Sequence, residues 1–284
     1  MKGNIFIKIM SHILFFMIFL QSYNSIAAVR GSTDALIIIG SSYSNGTTRI
    51  DDNQLGSLAG LAVGSGAYLS LGDALVRERS LNGLVINEGN VGNTTFDRYS
   101  CLTYECLPFG KLLGYKSQLE NALKRTAIYD LNEPGLIIEH NTRFLVIGIP
   151  NDCVHSDAFG IPQIDTLPCE LDEINEIADN IIKISRYAET FDIHSIIPIL
   201  PKYESLDLDL VRLGLGLQWV ANEYQYNNIR DTLKFRLKKE LKNATIVDIW
   251  KNFTHRGDGI HPDRKTVKKA ARRISRIIRR HTEM

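Results

Sequence analysis

The chain has no apolar run long enough to cross a membrane. The stretch Ile13-Leu14-Phe15-Phe16-Met17-Ile18-Phe19-Leu20 is far shorter than the roughly 20 residues a spanning helix needs. Lys2 and Lys8 precede it, and the small residues of Ser25-Ile26-Ala27-Ala28 follow. That order predicts a secretory signal peptide over residues 1–28, cleaved after Ala27 or Ala28, and an exported protein, periplasmic or secreted. No cysteine follows the apolar run, so a lipoprotein anchor has no attachment point. Cysteine is sparse throughout. Cys101, Cys106, Cys153 and Cys169 are the four present, and their spacing matches no zinc pattern. In an oxidising compartment they are disulfide candidates; short loops favour Cys101 with Cys106 and Cys153 with Cys169. There is also no internal repeat and no low-complexity tract, so residues 29–284 are expected to form one domain with one large core.

Charge of one sign is missing from the end of the chain. Residues 264–281 hold nine Lys or Arg and no acid, whereas the rest of the exported chain carries 22 basic against 32 acidic residues, a net charge of −10. Val267, Ala270, Ala271, Ile274, Ile277 and Ile278 recur there at helical spacing, which predicts a terminal helix packed by one apolar face. Its basic side is solvated or touches an anionic membrane or polymer. An exported protein makes nucleic acid an unsuitable partner.

Five strand-like runs alternate with helical ones: residues 35–40, 84–88, 144–149, 194–200 and 245–250. Their nearly continuous apolar character marks strands covered on both faces. Helices are expected over 112–127, 170–190, 220–241 and 263–280, with another within 66–79. This alternation predicts an α/β domain with a parallel sheet between helical layers. The segments 45–66, 93–111, 152–168 and 202–219 are long connections of the kind that carry function.

Gly40-Ser41-Ser42-Tyr43-Ser44 follows the first apolar run at once. A serine there stands outside the carboxyl end of a buried strand, where open α/β sheets gather reacting groups. Far downstream is Asp258-Gly259-Ile260-His261; an Asp and a His three residues apart can hold an imidazole in the tautomer that takes a hydroxyl proton. Asn87-Glu88-Gly89-Asn90-Val91-Gly92-Asn93-Thr94 and Gly148-Ile149-Pro150-Asn151-Asp152 follow the second and third runs. Glycines let backbone N–H groups approach a ligand, and an Asn side chain is an effective oxyanion donor. Ser44 occupies the last position of Gly-x-Ser-x-Gly, so the strained elbow of α/β-hydrolases is not matched. His255, Asp258 and His261 have a spacing that a metal accepts, but no further ligand or supporting shell is visible. His140, His155 and His194 read as surface or satisfied histidines.

Together these four blocks resemble the SGNH hydrolases, or GDSL esterases and lipases, in order and spacing over nearly the whole chain after residue 28. The resemblance implies a flavodoxin-like three-layer α/β/α sandwich on a five-stranded parallel sheet. It implies Ser42 as nucleophile, His261 as base and Asp258 as the orienter of that base. The oxyanion hole would comprise the N–H groups of Ser42 and Gly92 and the Asn151 side chain. No metal or cofactor is implied. Two positions depart from the pattern: Ser41 replaces the usual Asp, and Ile149-Pro150 precedes Asn151.

The expected activity is hydrolysis of carboxylic esters through an acyl group on Ser42, on lipid or short-chain acyl esters. A second reading is removal of O-acetyl groups from an envelope or host glycan. A third, of another class, is an inactive binding or scaffold protein, motivated by Ser41 and Pro150. The apolar segments 55–71 and 206–220 are candidates for an acyl pocket or for ordinary core packing.

Overall fold

The computed structural model describes residues 34–45, 69–78, 83–90, 92–101, 108–129, 137–139, 141–150, 152–153, 155–156, 169–215, 217–218 and 222–282. Its centre is a five-stranded parallel sheet built from β1 (Asp34–Ile39), β2 (Gly83–Asn87), β7 (Asn141–Ile147), β9 (His194–Pro198) and β11 (Thr245–Val247), in the order β11-β9-β7-β1-β2. Every neighbouring pair is parallel, with Ile37 opposite both Ile86 and Leu145. Leu36, Ile37, Ile38 and Ile39 are all buried, although successive side chains point to opposite faces. Both faces are therefore covered, which explains why β1 reads as an unbroken apolar run.

The covering helices fall into two groups. The first comprises α3 (Tyr115–Lys124), α4 (Leu171–Glu189) and α6 (Glu223–Glu240), with α3 against α4 and α4 against α6. The second pairs α2 (Leu71–Val76) with α7 (Arg264–Thr282). The result is the three-layer sandwich that the alternation of runs predicts. Local chemistry sets the helix ends. Ser70 and Asp73 form a reciprocal capping box on α2, satisfying N–H groups that have no partner within the helix. On α7, Val267, Ala270, Ala271, Ile274 and Ile278 are buried, and Ile277 is half-buried beside them.

The differences from the sequence reading have local causes. β11 stops at Val247 rather than reaching residue 250, because Asp248 Oδ1 accepts a hydrogen bond from Trp250 N at 2.9 Å and turns the chain. The connection 202–219 is not structureless. It contains a 3₁₀ turn (Tyr203–Ser205) and the helix α5 (Leu208–Leu215), started by Asp207, whose Oδ1 accepts from Leu210 N at 2.9 Å. Short antiparallel pairs also escaped the reading: β3 (Arg98–Cys101) with β4 (Pro108–Leu112), β5 (Ala127–Tyr129) with β6 (Ile137–Glu139), and β8 (His155–Ser156) with β10 (Leu217–Gln218). Cys153 and Cys169 are joined by a disulfide, their Cα atoms 5.3 Å apart. Cys106, His140 and residues 1–33, which include the expected signal peptide, lie outside the described residues.

Candidate active site

The first four residues after β1 carry the site's serine. Gly40 has φ +147°, and a Cβ there would meet Ser44 Oγ at 2.5 Å and Gly148 Cα at 3.0 Å. Only glycine lets the β1 and β7 exits approach this closely. Gln118, fully buried on α3, then fixes the peptide. Its Oε1 accepts from Gly40 N at 2.8 Å, and its Nε2 donates to Leu113 O at 2.9 Å and Gly40 O at 3.3 Å. Ser42 follows as the first residue of a single helical turn, α1 (Ser42–Asn45). Asn87 Nδ2 donates to Ser44 O at 2.9 Å and ties that turn to the end of β2.

Ser42 Oγ stands 3.1 Å from His261 Nε2, and His261 Nδ1 stands 2.7 Å from Asp258 Oδ2. All three residues are buried. The acid and the imidazole share one loop, closed by backbone bonds from Arg256 N to His261 O and from Asp263 N to Thr254 O, both 2.9 Å. Gly259, at φ +86°, brings this loop against α5. A Cβ there would lie 2.0 Å from Asp207 O, and Asp207 N donates to Gly259 O at 2.8 Å. Thus the 206–220 segment supports the loop: Val211 is buried and Leu206 and Leu208 pack on the core. Most of the other suggested pocket segment, residues 55–68, lies outside the described residues.

Tyr43 couples the two halves. Its hydroxyl donates to Ile260 O at 2.5 Å, and its ring packs against Trp250, Phe253 and His261. Burial, reinforced by Tyr226 and Asp258, raises its hydroxyl well above the ordinary range, so it stays a neutral donor.

Asp258 receives four hydrogen bonds. Oδ1 accepts from His261 N at 2.9 Å and Ile260 N at 3.1 Å, while Oδ2 accepts from His261 Nδ1 and from Arg256 Nε, both at 2.7 Å. Burial pushes its pKa up, but the His261 charge and hydrogen bond, then the Arg256 charge, outweigh burial and hold the carboxyl well below the usual range. It is an ionised acceptor at neutral pH. His255, which by spacing was a rival partner for Asp258, faces elsewhere: its Nδ1 accepts from Gly257 N at 3.1 Å and Gly259 N at 3.2 Å.

Ser41 has a definite role in place of the usual Asp. Its hydroxyl donates to Ile149 O at 2.7 Å, and Tyr115 Oη donates to the same carbonyl at 2.7 Å. The β7 exit is thereby held beside the serine turn without a carboxylate. Gly92 has φ +78° in the loop that Asn90 N binds to Gly40 O at 3.1 Å. Asp152 accepts from Thr95 N and Thr95 Oγ1, joining that loop to the segment after Pro150. Asn151 itself is outside the described residues. The residues that the motifs did not name are Arg256, Gln118 and Tyr115; Tyr43 stands inside the first motif, but no role was read for it. Gln118 had one signal, a polar side chain on the buried i, i+3, i+4, i+7 face of α3 with Tyr115, Leu119 and Ala122.

No protein-family model and no curated protein matches the sequence. Solved structures do match. A carbohydrate esterase family 2 enzyme with a carbohydrate-binding domain from Corynascus thermopiles (Myceliophthora fergusii) aligns over 90% of this chain and 69% of its own, with a TM-score of 0.51 and 13% identity. A carbohydrate acetylesterase from Sinorhizobium meliloti aligns over 86% and 98%, at 0.49 and 14%. A GDSL-like lipase from Bacteroides thetaiotaomicron aligns over 92% and 97%, at 0.47 and 11%. The chain shares its fold, a parallel sheet between two helical layers, with the first of these, the carbohydrate esterase family 2 enzyme.

Proposed function

We propose that the protein is a serine esterase of the SGNH type. The observation that carries this reading is the buried relay from Ser42 Oγ through His261 to Asp258, at 3.1 and 2.7 Å. Ser42 Oγ attacks the ester carbonyl as its proton passes to His261 Nε2; Asp258 holds the Nδ1 proton and the imidazolium. The N–H groups of Ser42 and Gly92 and the Asn151 amide receive the oxyanion. Collapse breaks the bond to the leaving alcohol, which takes the proton from His261 and leaves the acyl group on Ser42. Water activated by the same imidazole then frees the acid.

The substrate is a short acyl ester, with an O-acetylated glycan of the envelope or a host favoured over a lipid; a fold shared with a carbohydrate esterase supports this. Export is part of the proposal, supported by the first 28 residues and by a disulfide of the kind found in oxidising compartments. The basic side of α7 serves as its contact with an anionic polymer. Arg264, Lys265, Lys268, Lys269 and Arg272 line a cavity of about 440 Å³ there.

Hydrolysis of p-nitrophenyl esters from acetate upward, by the wild type and Ser42→Ala, tests the reading. Acetate is expected to be the best substrate, and the substitution to lower kcat by about 10³-fold or more. No Ser42-dependent turnover on any ester by folded protein would leave the scaffold reading. Preference for long chains would replace the glycan ester with a lipid ester.

A further inference from the structure

Arg256 is buried in the wall of the site, its side chain wholly inaccessible to solvent. Its Nε donates to Asp258 Oδ2 at 2.7 Å, the oxygen that also receives His261 Nδ1, while Nη1 and Nη2 have no hydrogen-bond partner among the described residues. A buried cation with two unpartnered nitrogens weakens a fold unless something else requires it. The main chain does not need the guanidinium to close the loop, because Arg256 N already binds His261 O. Asp258 does need it: a carboxylate with a 1% exposed side chain cannot remain ionised cheaply without a countercharge.

The charges give the purpose. At rest, Asp258 and Arg256 sum to zero. When Ser42 gives its proton to His261, the new imidazolium balances the new oxyanion, and the buried set remains neutral. Without Arg256 both states carry a net negative charge in a water-poor site. Among the described residues the charged and titratable groups facing His261 are Asp258 and Arg256 from its own loop and Tyr43 from α1, which stays neutral; His255 on the same loop is turned to the Gly257 and Gly259 amides.

We propose that Arg256 is a positioning residue that acts through Asp258, keeping the carboxylate ionised and aimed at His261 Nδ1 and extending the pH range of the base downward. This rests on the esterase reading for its catalytic consequence, but not for its electrostatics. A cation beside Asp258 opposes protonation of the imidazole, so its removal makes His261 protonate at higher pH.

The test compares wild type, Arg256→Met and Arg256→Lys. In Arg256→Met the acid limb of kcat/KM for p-nitrophenyl acetate is expected to rise by about one to two pH units, with kcat at neutral pH down about tenfold to a hundredfold and KM within twofold. Arg256→Lys should recover most of both effects, which a purely space-filling role would not predict. The His261 ring resonances, followed by NMR across pH, should show the same upward displacement in Arg256→Met without reference to turnover. If Arg256→Met does not fold, Arg256→Gln and Arg256→Lys carry the test, read by the same His261 resonances. Unmoved His261 resonances in folded Arg256→Met, or in Arg256→Gln where the Met variant does not fold, would overturn the proposal. Absence of Ser42-dependent turnover together with displaced resonances would instead remove the esterase reading and leave the electrostatic role standing.

Discussion

Gln118 shows how much of a reacting residue's geometry is set by one that never reacts. Its amide spans the backbone on both sides of Gly40 and reaches Leu113 O, all inside the core. Gln118→Leu keeps the volume but leaves Gly40 N without this partner. We expect a loss of about 1–3 kcal/mol in urea unfolding, with kcat falling and KM little changed, because Ser42 stands two residues away. An unchanged kcat in the folded variant would show that the turn holds its shape unaided. At this scale Ser42, Asp258 and His261 were legible in the sequence, since the acid and base are three residues apart and the serine follows an unmistakable strand. Arg256 and Gln118 were not named. Their importance depends on what lies opposite: a carboxylate across a glycine turn in one case, a peptide 78 positions away in the other.

Among the elements, the five sheet strands and the long helices were legible because each buries a continuous face. The short antiparallel pairs were not. β3 and β4 pair a short polar strand with one that contains Pro108 and Gly110, and β8 and β10 are two residues each; such strands exist through their partners rather than their own pattern. The end of α7 was legible as a helix, but its contact was not. His281 lies 4.2 Å from His194, ring to ring, with Phe144 against both, and His194 Nε2 binds Thr245 Oγ1 at 2.8 Å. Burial, assisted by His281, lowers His194 to about 4. Its folded value lies below its unfolded one of 6.5, so between those values the unfolded chain binds the extra proton. The neutral ring's contribution is therefore intact above about pH 6.5 and is lost as pH falls toward 4. Thermal unfolding should show a lower Tm at pH 5 than at pH 7, and His194→Gln should flatten that difference. An identical pH dependence in the variant would assign it to other groups.

Over the whole molecule the charge is divided between a basic terminal helix and an acidic remainder. Among the described residues Lys265, Lys268 and Lys269 form no ion pair, and Arg272 has a loose one with Glu78 at 3.7 Å. Such a face attracts polyanions in a salt-dependent way. Replacing Lys265, Lys268 and Lys269 with Gln should weaken retention on a polyanion matrix at low ionic strength by about tenfold, without altering hydrolysis of a small neutral ester. Equal retention would reduce the basic face to a solvated surface.

The serine and its base are 219 residues apart. A ribosome makes the chain from its N-terminus, so until residue 261 is made Ser42 belongs to a polypeptide without the imidazole that would deprotonate it. The Asp258–His261 loop is made after every strand of the sheet, and it reaches the serine only once α5 and the Tyr43 hydroxyl can dock it. On the proposed esterase reading, reactivity thus arrives with the docking of that loop: until then the serine has no base to activate it, and the polypeptide is silent towards esters.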